Sequence, residues 1–180
     1  MDIKDFVSSR RVEMWDKVAK CLEGYPERLA VAKILIQYGL SVRNGRIYCD
    51  KIMIPAVRIS RAAGVDRRTV LQTVKMIEKH PELSVIFKEI KPAGASLKEV
   101  ARYLNLGVVE ITPVDARMPG ILSRSASLLA ERGISIRQAI VDDPELTPEP
   151  KLTLIAEKKI PGEIIPKLLK IKGIQKVSVY

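Results

Sequence analysis

Hydrophobic positions recur at two different intervals along this chain, and the change of interval divides it in two. In the first part, apolar side chains recur every three or four residues, which predicts amphipathic helices. The segments with this pattern are 6–22, 27–38 and a helix pair across 56–79. We therefore predict an N-terminal helical domain at residues 1–93, followed by a domain of mixed character at residues 107–180.

The second part has the element order β-α-β-β-α-β. Short apolar runs predict strands at 108–112, 134–141, 152–156 and 174–180, and helical periodicity predicts helices at 120–132 and 164–171. Each helix opens with Pro-Gly, at Pro119-Gly120 and at Pro161-Gly162, and each is followed by a glycine and an isoleucine. A βαβ unit written twice is the pattern of a ferredoxin-like domain. The predicted fold class is α+β.

Three connecting stretches carry weaker signals. Residues 43–54 combine a turn pattern with a short extended piece, and residues 84–91 predict a strand that ends at Pro92. Residues 94–106 predict a linking helix, because Ser96 opens a capping-box pattern.

Positive charge is concentrated in the first half. The chain carries a net charge of +10 at pH 7, and residues 1–93 hold 18 Lys and Arg against 11 Asp and Glu. Such an excess points to an anionic partner. The alternative is that the basic residues only keep the surface solvated and bind no anion. Apolar runs stay shorter than the roughly 18 residues of a membrane span, and the N-terminal stretch is charged rather than signal-like. With two isolated cysteines, Cys21 and Cys49, we expect a cytoplasmic protein without a disulfide framework.

Residues 59–70 resemble a helix-turn-helix. Gly64 can adopt the positive φ of the tight turn, Val65 fills the gap between the helices, and Asp66 caps the second helix. Apolar residues at helical spacing face inward. The polar residues left outside, which we predict to contact DNA, are Arg61, Arg67, Arg68, Gln72 and Lys75.

The outward set suits DNA because arginine can bind guanine with two hydrogen bonds and glutamine can pair with adenine. A recognition helix meets the base edges with its N-terminal residues. The window 43–68 holds seven basic residues and two acidic ones. The alternative is a helical hairpin that only packs or dimerises and whose charges form a solvated face.

Residues 107–180 resemble the ACT domain, a small-molecule sensor of amino-acid metabolism. The resemblance covers element order, element lengths and the loop 112–122, whose sequence is TPVDARMPGIL. It implies that residues around Pro-Gly surround a bound amino acid. Those positions are Asp115, Arg117, Met118, Gly120, Ile121 and Leu122.

The chemistry of this loop is reasonable without the resemblance. A helix start offers unpaired N–H groups that attract a carboxylate, and Gly120 lets a ligand approach the backbone. Asp115 could pair with an ammonium group, and Arg117 could hold a carboxylate through two hydrogen bonds. The alternative is that Pro119-Gly120 only starts a helix, which is the role we predict for Pro161-Gly162.

The resemblance also predicts a homodimer. ACT domains usually pair through their second strands, here 134–141, and share ligands across the interface. An apolar edge strand left open would invite aggregation, so burial in a dimer is expected. The residues predicted to line the site from the neighbouring subunit are Ser135, Gln138 and Ala139.

The whole chain resembles archaeal-type predicted regulators of amino-acid metabolism with a C-terminal ACT domain. That implies a ligand-responsive DNA-binding regulator with an amino acid as effector. The alternative is a regulatory ACT subunit that docks on a biosynthetic enzyme without binding DNA. His80 is the sole histidine, and no phosphate- or dinucleotide-binding glycine motif occurs. We therefore predict no catalysis, no metal site and no cofactor.

Overall fold

The computed structural model describes residues 14–180, and the chain forms two compact units, Met1–Ala93 and Gly94–Tyr180. The first unit is mainly helical and contains one small sheet. Its helices are α1 (Met14–Cys21), α2 (Pro26–Gln37), α3 (Ala56–Ala63), α4 (Arg67–Lys79) and α5 (Pro81–Glu89). Its strands, antiparallel in the order β1-β2-β3, are β1 (Ser41–Arg43), β2 (Arg46–Cys49) and β3 (Ile52–Ile54).

The helices predicted at 27–38 and across 56–79 are confirmed. Of the helix predicted at 6–22, residues 6–13 lie outside the described residues, and α1 accounts for most of the rest. The ambiguous stretch 43–54 is a three-stranded sheet. Its first turn, Asn44-Gly45, has positive φ at both positions (51° and 71°), as a tight two-residue hairpin requires.

The strand predicted at 84–91 is wrong, because these residues belong largely to α5. Pro81 starts this helix, where its missing N–H costs nothing. Leu83 and Phe87 lie four residues apart and are both fully buried, so they form a helical face. The run Val-Ile-Phe between Ser84 and Lys88 is too short to distinguish a strand from a buried helix by its period.

The second unit is ferredoxin-like, and with the helical first unit it confirms the α+β fold class. Its elements are β4 (Gly107–Pro113), α6 (Ile121–Ala130), β5 (Ile136–Val141), β6 (Leu152–Ala156), α7 (Ile165–Leu169) and β7 (Ile174–Val179). The strands form one antiparallel sheet in the order β5-β6-β4-β7, with α6 and α7 as the connecting helices. A short 3-10 turn at Gly162–Ile164 precedes α7, so that helix is shorter than predicted.

Residues 94–106, which we call the covering segment, form no α-helix beyond a 3-10 turn at Ala101–Leu104. The Ser96 hydroxyl does accept a hydrogen bond from the Lys98 N–H at 3.3 Å, but the predicted helix does not follow. Ala101 and Leu106 instead pack in one cluster with Val108 and Ile155 of the sheet. Burial of these apolar side chains outweighs the local helix signal, which is worth little over so few residues.

Glu110, on the central strand β4, is buried and forms an ion pair with Lys98 of the covering segment. The Lys98 Nζ lies 2.8 Å from the Glu110 Oε1. Burial by itself raises the pKa of Glu110, but hydrogen bonds with Lys98 and Tyr180 and the charges of Lys98 and Lys151 outweigh it and hold the pKa below its usual value. The hydrogen bond to Glu110 raises the pKa of Lys98.

We expect this pair to make the stability of the second unit depend on acid pH. Because the pKa of Glu110 is lowered on folding, its contribution is complete above the unfolded value of 4.5 and is lost as pH falls through the folded value. At neutral pH, Glu110→Gln should lower the free energy of unfolding by about 1.5–3 kcal/mol, the range for hydrogen bonds to charged groups. Urea denaturation of the wild type and the variant across pH measures the difference, which should shrink below pH 4.5.

Glu99→Gln is the matched control for this pair. Glu99 also lies near Lys98, at 3.9 Å, but its side chain is 87% exposed. Its removal should change stability by less than about 0.5 kcal/mol at any pH, as for most exposed pairs. A difference between wild type and Glu110→Gln that stays constant across pH would contradict the linkage.

Candidate functional site

The predicted helix-turn-helix is present as α3 and α4. Gly64 ends α3 with φ 66°, in the left-handed region that favours glycine. The Asp66 carboxylate accepts a hydrogen bond from the Arg68 N–H at 2.7 Å and so caps α4. Val70 and Ile77 of α4 are fully buried, as their inward spacing predicted. The turn therefore fixes the direction in which α4 presents its outer face.

The residues predicted to bind DNA are all exposed. The structure brings four of them together along the outer face of α4, while the fifth lies on α3. Leu71 lies on the same face and is 37% exposed. We call this surface the α4 face; its residues are Arg67, Arg68, Leu71, Gln72 and Lys75. Their contact with DNA remains a prediction.

One edge of the α4 face borders β1–β3. The backbone N–H of Gly45 donates to the Glu78 carboxylate at 2.7 Å, which holds the first hairpin turn against the helix. A small cleft of about 150 Å³ between them is lined by residues that include Arg46, Met53 and Arg67. The hairpin adds basic residues beside α4, which suits contact with a phosphate backbone.

The other edge borders α2, and here sequence reasoning missed a residue. Arg28 donates from one guanidinium nitrogen to the Gln72 Oε1 at 3.2 Å and from the other to the Met76 Sδ at 3.3 Å. Its guanidinium also lies over the Tyr25 ring, 4.3 Å from the centroid. Because Arg28 and Gln72 are 44 residues apart, no local pattern connects them. Next to this contact, the Glu27 carboxylate accepts from the Thr69 hydroxyl at 3.0 Å.

The loop before α6 forms a tight turn in the second unit. The Asp115 carboxylate accepts from the Arg117 N–H at 2.9 Å, and the Asp115 carbonyl accepts from the Met118 N–H at 3.1 Å. Gly120 caps α6 with φ 91°, which only glycine adopts easily. The Asp115 carboxylate is thus engaged in ordering its own loop.

A cavity of about 230 Å³ opens beside this loop, and four of the predicted effector residues line it: Met118, Gly120, Ile121 and Leu122. Asp115 and Arg117 belong to the same loop but are not among its lining residues. The charged residues of its lining are Asp142 and Lys151, which sequence reasoning assigned to no site. The remaining lining residues are Pro113, Ala116, Val141, Pro150 and Leu152.

Asp142 and Lys151 meet at the two ends of the long loop between β5 and β6. The Asp142 N–H donates to the Lys151 carbonyl at 2.9 Å, and the Lys151 N–H donates to the Asp142 Oδ2 at 3.1 Å. These bonds close the 142–150 loop at its base and place one acidic and one basic residue in the wall of a largely apolar cavity. The sequence of the 142–150 loop consists mainly of acidic residues and prolines, and this pattern does not indicate that the two ends of the loop form a wall of a cavity.

The three residues predicted to act across a dimer interface do not line this cavity in their own chain. Ser135 and Ala139 are exposed on and near β5, an edge strand of the sheet. Gln138 is half-buried; its amide donates to the Ala95 carbonyl at 2.8 Å and accepts from the Leu97 N–H at 2.9 Å. Gln138 therefore anchors the covering segment, and a role toward a partner's ligand remains a prediction.

Between residues 14 and 180, no group of three or more His, Cys, Asp or Glu side chains is arranged to hold a metal ion. The Cys21 Sγ lies 3.4 Å from the His80 Nε2, a pairing that the sequence did not suggest. Among the described helices, none combines the length and apolar character needed to cross a membrane.

No family model and no curated protein matches the chain. Similar solved structures include a transcriptional regulator from Neisseria meningitidis in complex with L-Met, at 14% identity and a TM-score of 0.28, with 86% of each chain covered. Another is the leucine response regulatory protein of Mycobacterium tuberculosis, at 14% identity and a TM-score of 0.27, covering 86% of this chain and 89% of that one. Likeness at this level assigns neither family nor function, so the function has to be argued from the residues described above.

Proposed function

We propose that this chain is a ligand-responsive DNA-binding regulator of amino-acid metabolism, with an ACT-like sensor as its second unit. The observation that carries the proposal is the α4 face. It presents two arginines, a lysine and a glutamine on a helix whose turn and cap are those of a helix-turn-helix. We expect it to act in the cytoplasm without catalysing a reaction.

The α4 face has the chemistry needed for major-groove binding. Arg67 and Arg68, at the first turn of α4, are placed to donate to guanine, and Gln72 lies one turn further along. Exposed Leu71 offers an apolar contact to a thymine methyl group. The phosphate contacts that would fix the register come from exposed basic residues around this face: Arg46, Lys51, Arg58 and Arg61.

The cavity beside α6 supports an amino acid as effector. Met118, Ile121 and Leu122 provide an apolar wall, and the free N–H groups at the start of α6 favour a carboxylate. Asp142 offers a carboxylate for an α-ammonium group, a role that we first predicted for Asp115. We keep Asp115 and Arg117 as effector-binding residues of this loop, and Ser135, Gln138 and Ala139 as residues that a second subunit would bring to the site.

Control of DNA binding requires two arrangements of a homodimer that differ in their affinity for the effector. Pairing of β5 with its counterpart in the other subunit would make the effector sites part of the interface. The two α4 faces would then bind half-sites about 34–36 Å apart, one helical turn of DNA, in one of the two arrangements.

Fluorescence anisotropy with labelled duplex DNA at several salt concentrations tests this function. If four basic side chains contact phosphates, the logarithm of the binding constant should fall with the logarithm of salt with a slope of about −4. The correct amino acid should change the affinity roughly 5- to 150-fold, the usual range of allosteric coupling. Failure to bind at low salt, or binding that salt does not weaken, contradicts the DNA-binding claim.

The second candidate is a regulatory subunit that docks on a biosynthetic enzyme and binds no DNA. Exposed apolar residues beside the α4 face favour it: Ile52 is 68% exposed, Met53 50% and Val57 39%. Such a patch suits a protein partner better than a phosphate backbone. Co-purification of a biosynthetic enzyme with a chain that has no DNA affinity would establish this candidate and reject the first.

A further inference from the structure

Arg28 lies at the edge of the α4 face and contacts Gln72. Arg28 is half-buried, and two contacts hold its guanidinium beside Gln72: it lies over the Tyr25 ring and donates to the Met76 Sδ. The contact with Gln72 itself is exposed, at 3.2 Å. The Arg28 guanidinium of α2 and the Gln72 amide of α4 therefore form a hydrogen-bonded pair at the protein surface.

The chemistry of arginine fixes the orientation of the Gln72 amide. A guanidinium has five donors and no acceptor, so the amide atom facing it must be the oxygen. The Gln72 NH2 group is then directed elsewhere, and within residues 14–180 the structure gives it no hydrogen-bond partner. This pair consequently offers donors to a ligand, from the Gln72 Nε2 and from the remaining guanidinium hydrogens.

A glutamine without such a neighbour reads adenine, accepting from adenine N6 and donating to N7. Here the Gln72 oxygen already accepts from Arg28, and the adenine amino group would be brought beside a positive charge. Guanine presents two acceptors, N7 and O6, in the same groove. We propose that Arg28 and Gln72 act as one donor pair that selects guanine over adenine at the base they face, an inference that rests on the proposed DNA-binding function.

A purely structural role for Arg28 is the competing explanation, since the side chain also joins α2 to α4. Loss of this contact between α2 and α4 would lower the free energy of unfolding and weaken binding to every DNA sequence alike. It would not change which base is preferred at one position. Base preference is therefore the decisive measurement.

The experiment begins with selection of preferred duplexes from a random library by the full chain. The base pair that Gln72 faces is identified as the position at which the Gln72→Ala variant loses all base preference. Anisotropy is then measured on four duplexes that differ only at that base pair. We expect the wild type to prefer guanine over adenine roughly 5- to 150-fold, the range for one two-bond base contact. Arg28→Ala should shift the preference toward adenine, because the Gln72 oxygen can then accept from N6 without a positive charge beside the adenine amino group.

Three further variants separate charge, folding and base selection. Lys33→Ala removes one positive charge from an exposed position on α2, the helix that carries Arg28. It should leave the base preference unchanged. Arg28→Lys keeps the charge and should retain part of the guanine preference. Gln72→Glu replaces the amide donors by acceptors at an exposed site, so it should lose the guanine preference even if Arg28→Ala folds poorly.

Two results would overturn the inference while leaving DNA binding intact. One is a wild-type preference for adenine at the Gln72 position, and the other is an unchanged preference in both Arg28→Ala and Gln72→Glu. Absence of DNA binding by the wild type at any salt concentration rejects the proposed function and this inference together.

Discussion

Replacement of both Arg67 and Arg68 by alanine is expected to weaken specific DNA binding by about 30-fold or more, because each two-bond contact with guanine is worth about 1–3 kcal/mol. Both side chains are exposed, so stability should change little. The cap of α4 should survive, since the Asp66 carboxylate bonds to the backbone N–H of Arg68 and not to its side chain. Anisotropy on a selected duplex and thermal unfolding of the same samples provide the two measurements.

Lys33→Ala with Lys88→Ala is the matched control for charge. Both lysines are exposed in the first unit, on α2 and α5, and neither belongs to the α4 face. This double variant loses the same formal charge, so it should weaken binding only by the general electrostatic contribution. Equal losses from the two double variants would show that α4 makes no base contacts and that the affinity is unspecific.

Gly173→Ala is expected to destabilise the second unit by about 2–4 kcal/mol, the combined cost of left-handed backbone strain and overpacking. Gly173 has φ 95°, and a Cβ at this position would collide with the Met118 Sδ. Met118 lines the cavity beside α6, so its displacement should also abolish the thermal shift expected from the proposed effector. Hydrogen exchange in urea, followed in peptides of residues 107–180, measures the local stability.

Two companion variants separate strain from collision. Gly133→Ala has a similar backbone penalty, with φ 60°, but a Cβ there meets no atom within 4 Å. It should cost only about 1–2 kcal/mol and leave the effector response intact. Gly173→Ala combined with Met118→Ala should be less destabilised than the sum of the two single variants, because truncation of Met118 removes the collision. Strict additivity would show that Met118 is not what the new methyl group meets.

The helix-turn-helix and the ferredoxin-like topology were predictable because their signals are local. Gly64 and Asp66 act within one turn of the chain, and the second unit alternates between two hydrophobic periods with a glycine at each change. The strand predicted at 84–91 failed because three consecutive apolar residues fit either period. The helix predicted in the covering segment failed for another reason, since Ala101 and Leu106 gain more from packing on the sheet than from a helix.

The sequence by itself determined most of the helices and strands and which faces of them are apolar, because hydrophobic period, caps and turn residues act over a few positions. Only the tertiary structure decided which polar side chains meet. Arg28 reaches Gln72 across 44 residues, and Asp142 and Lys151 form a wall of the cavity from opposite ends of a loop. Such contacts depend on how helices and strands pack in three dimensions, so the residues proposed to select a base and to bind an effector became identifiable only after folding.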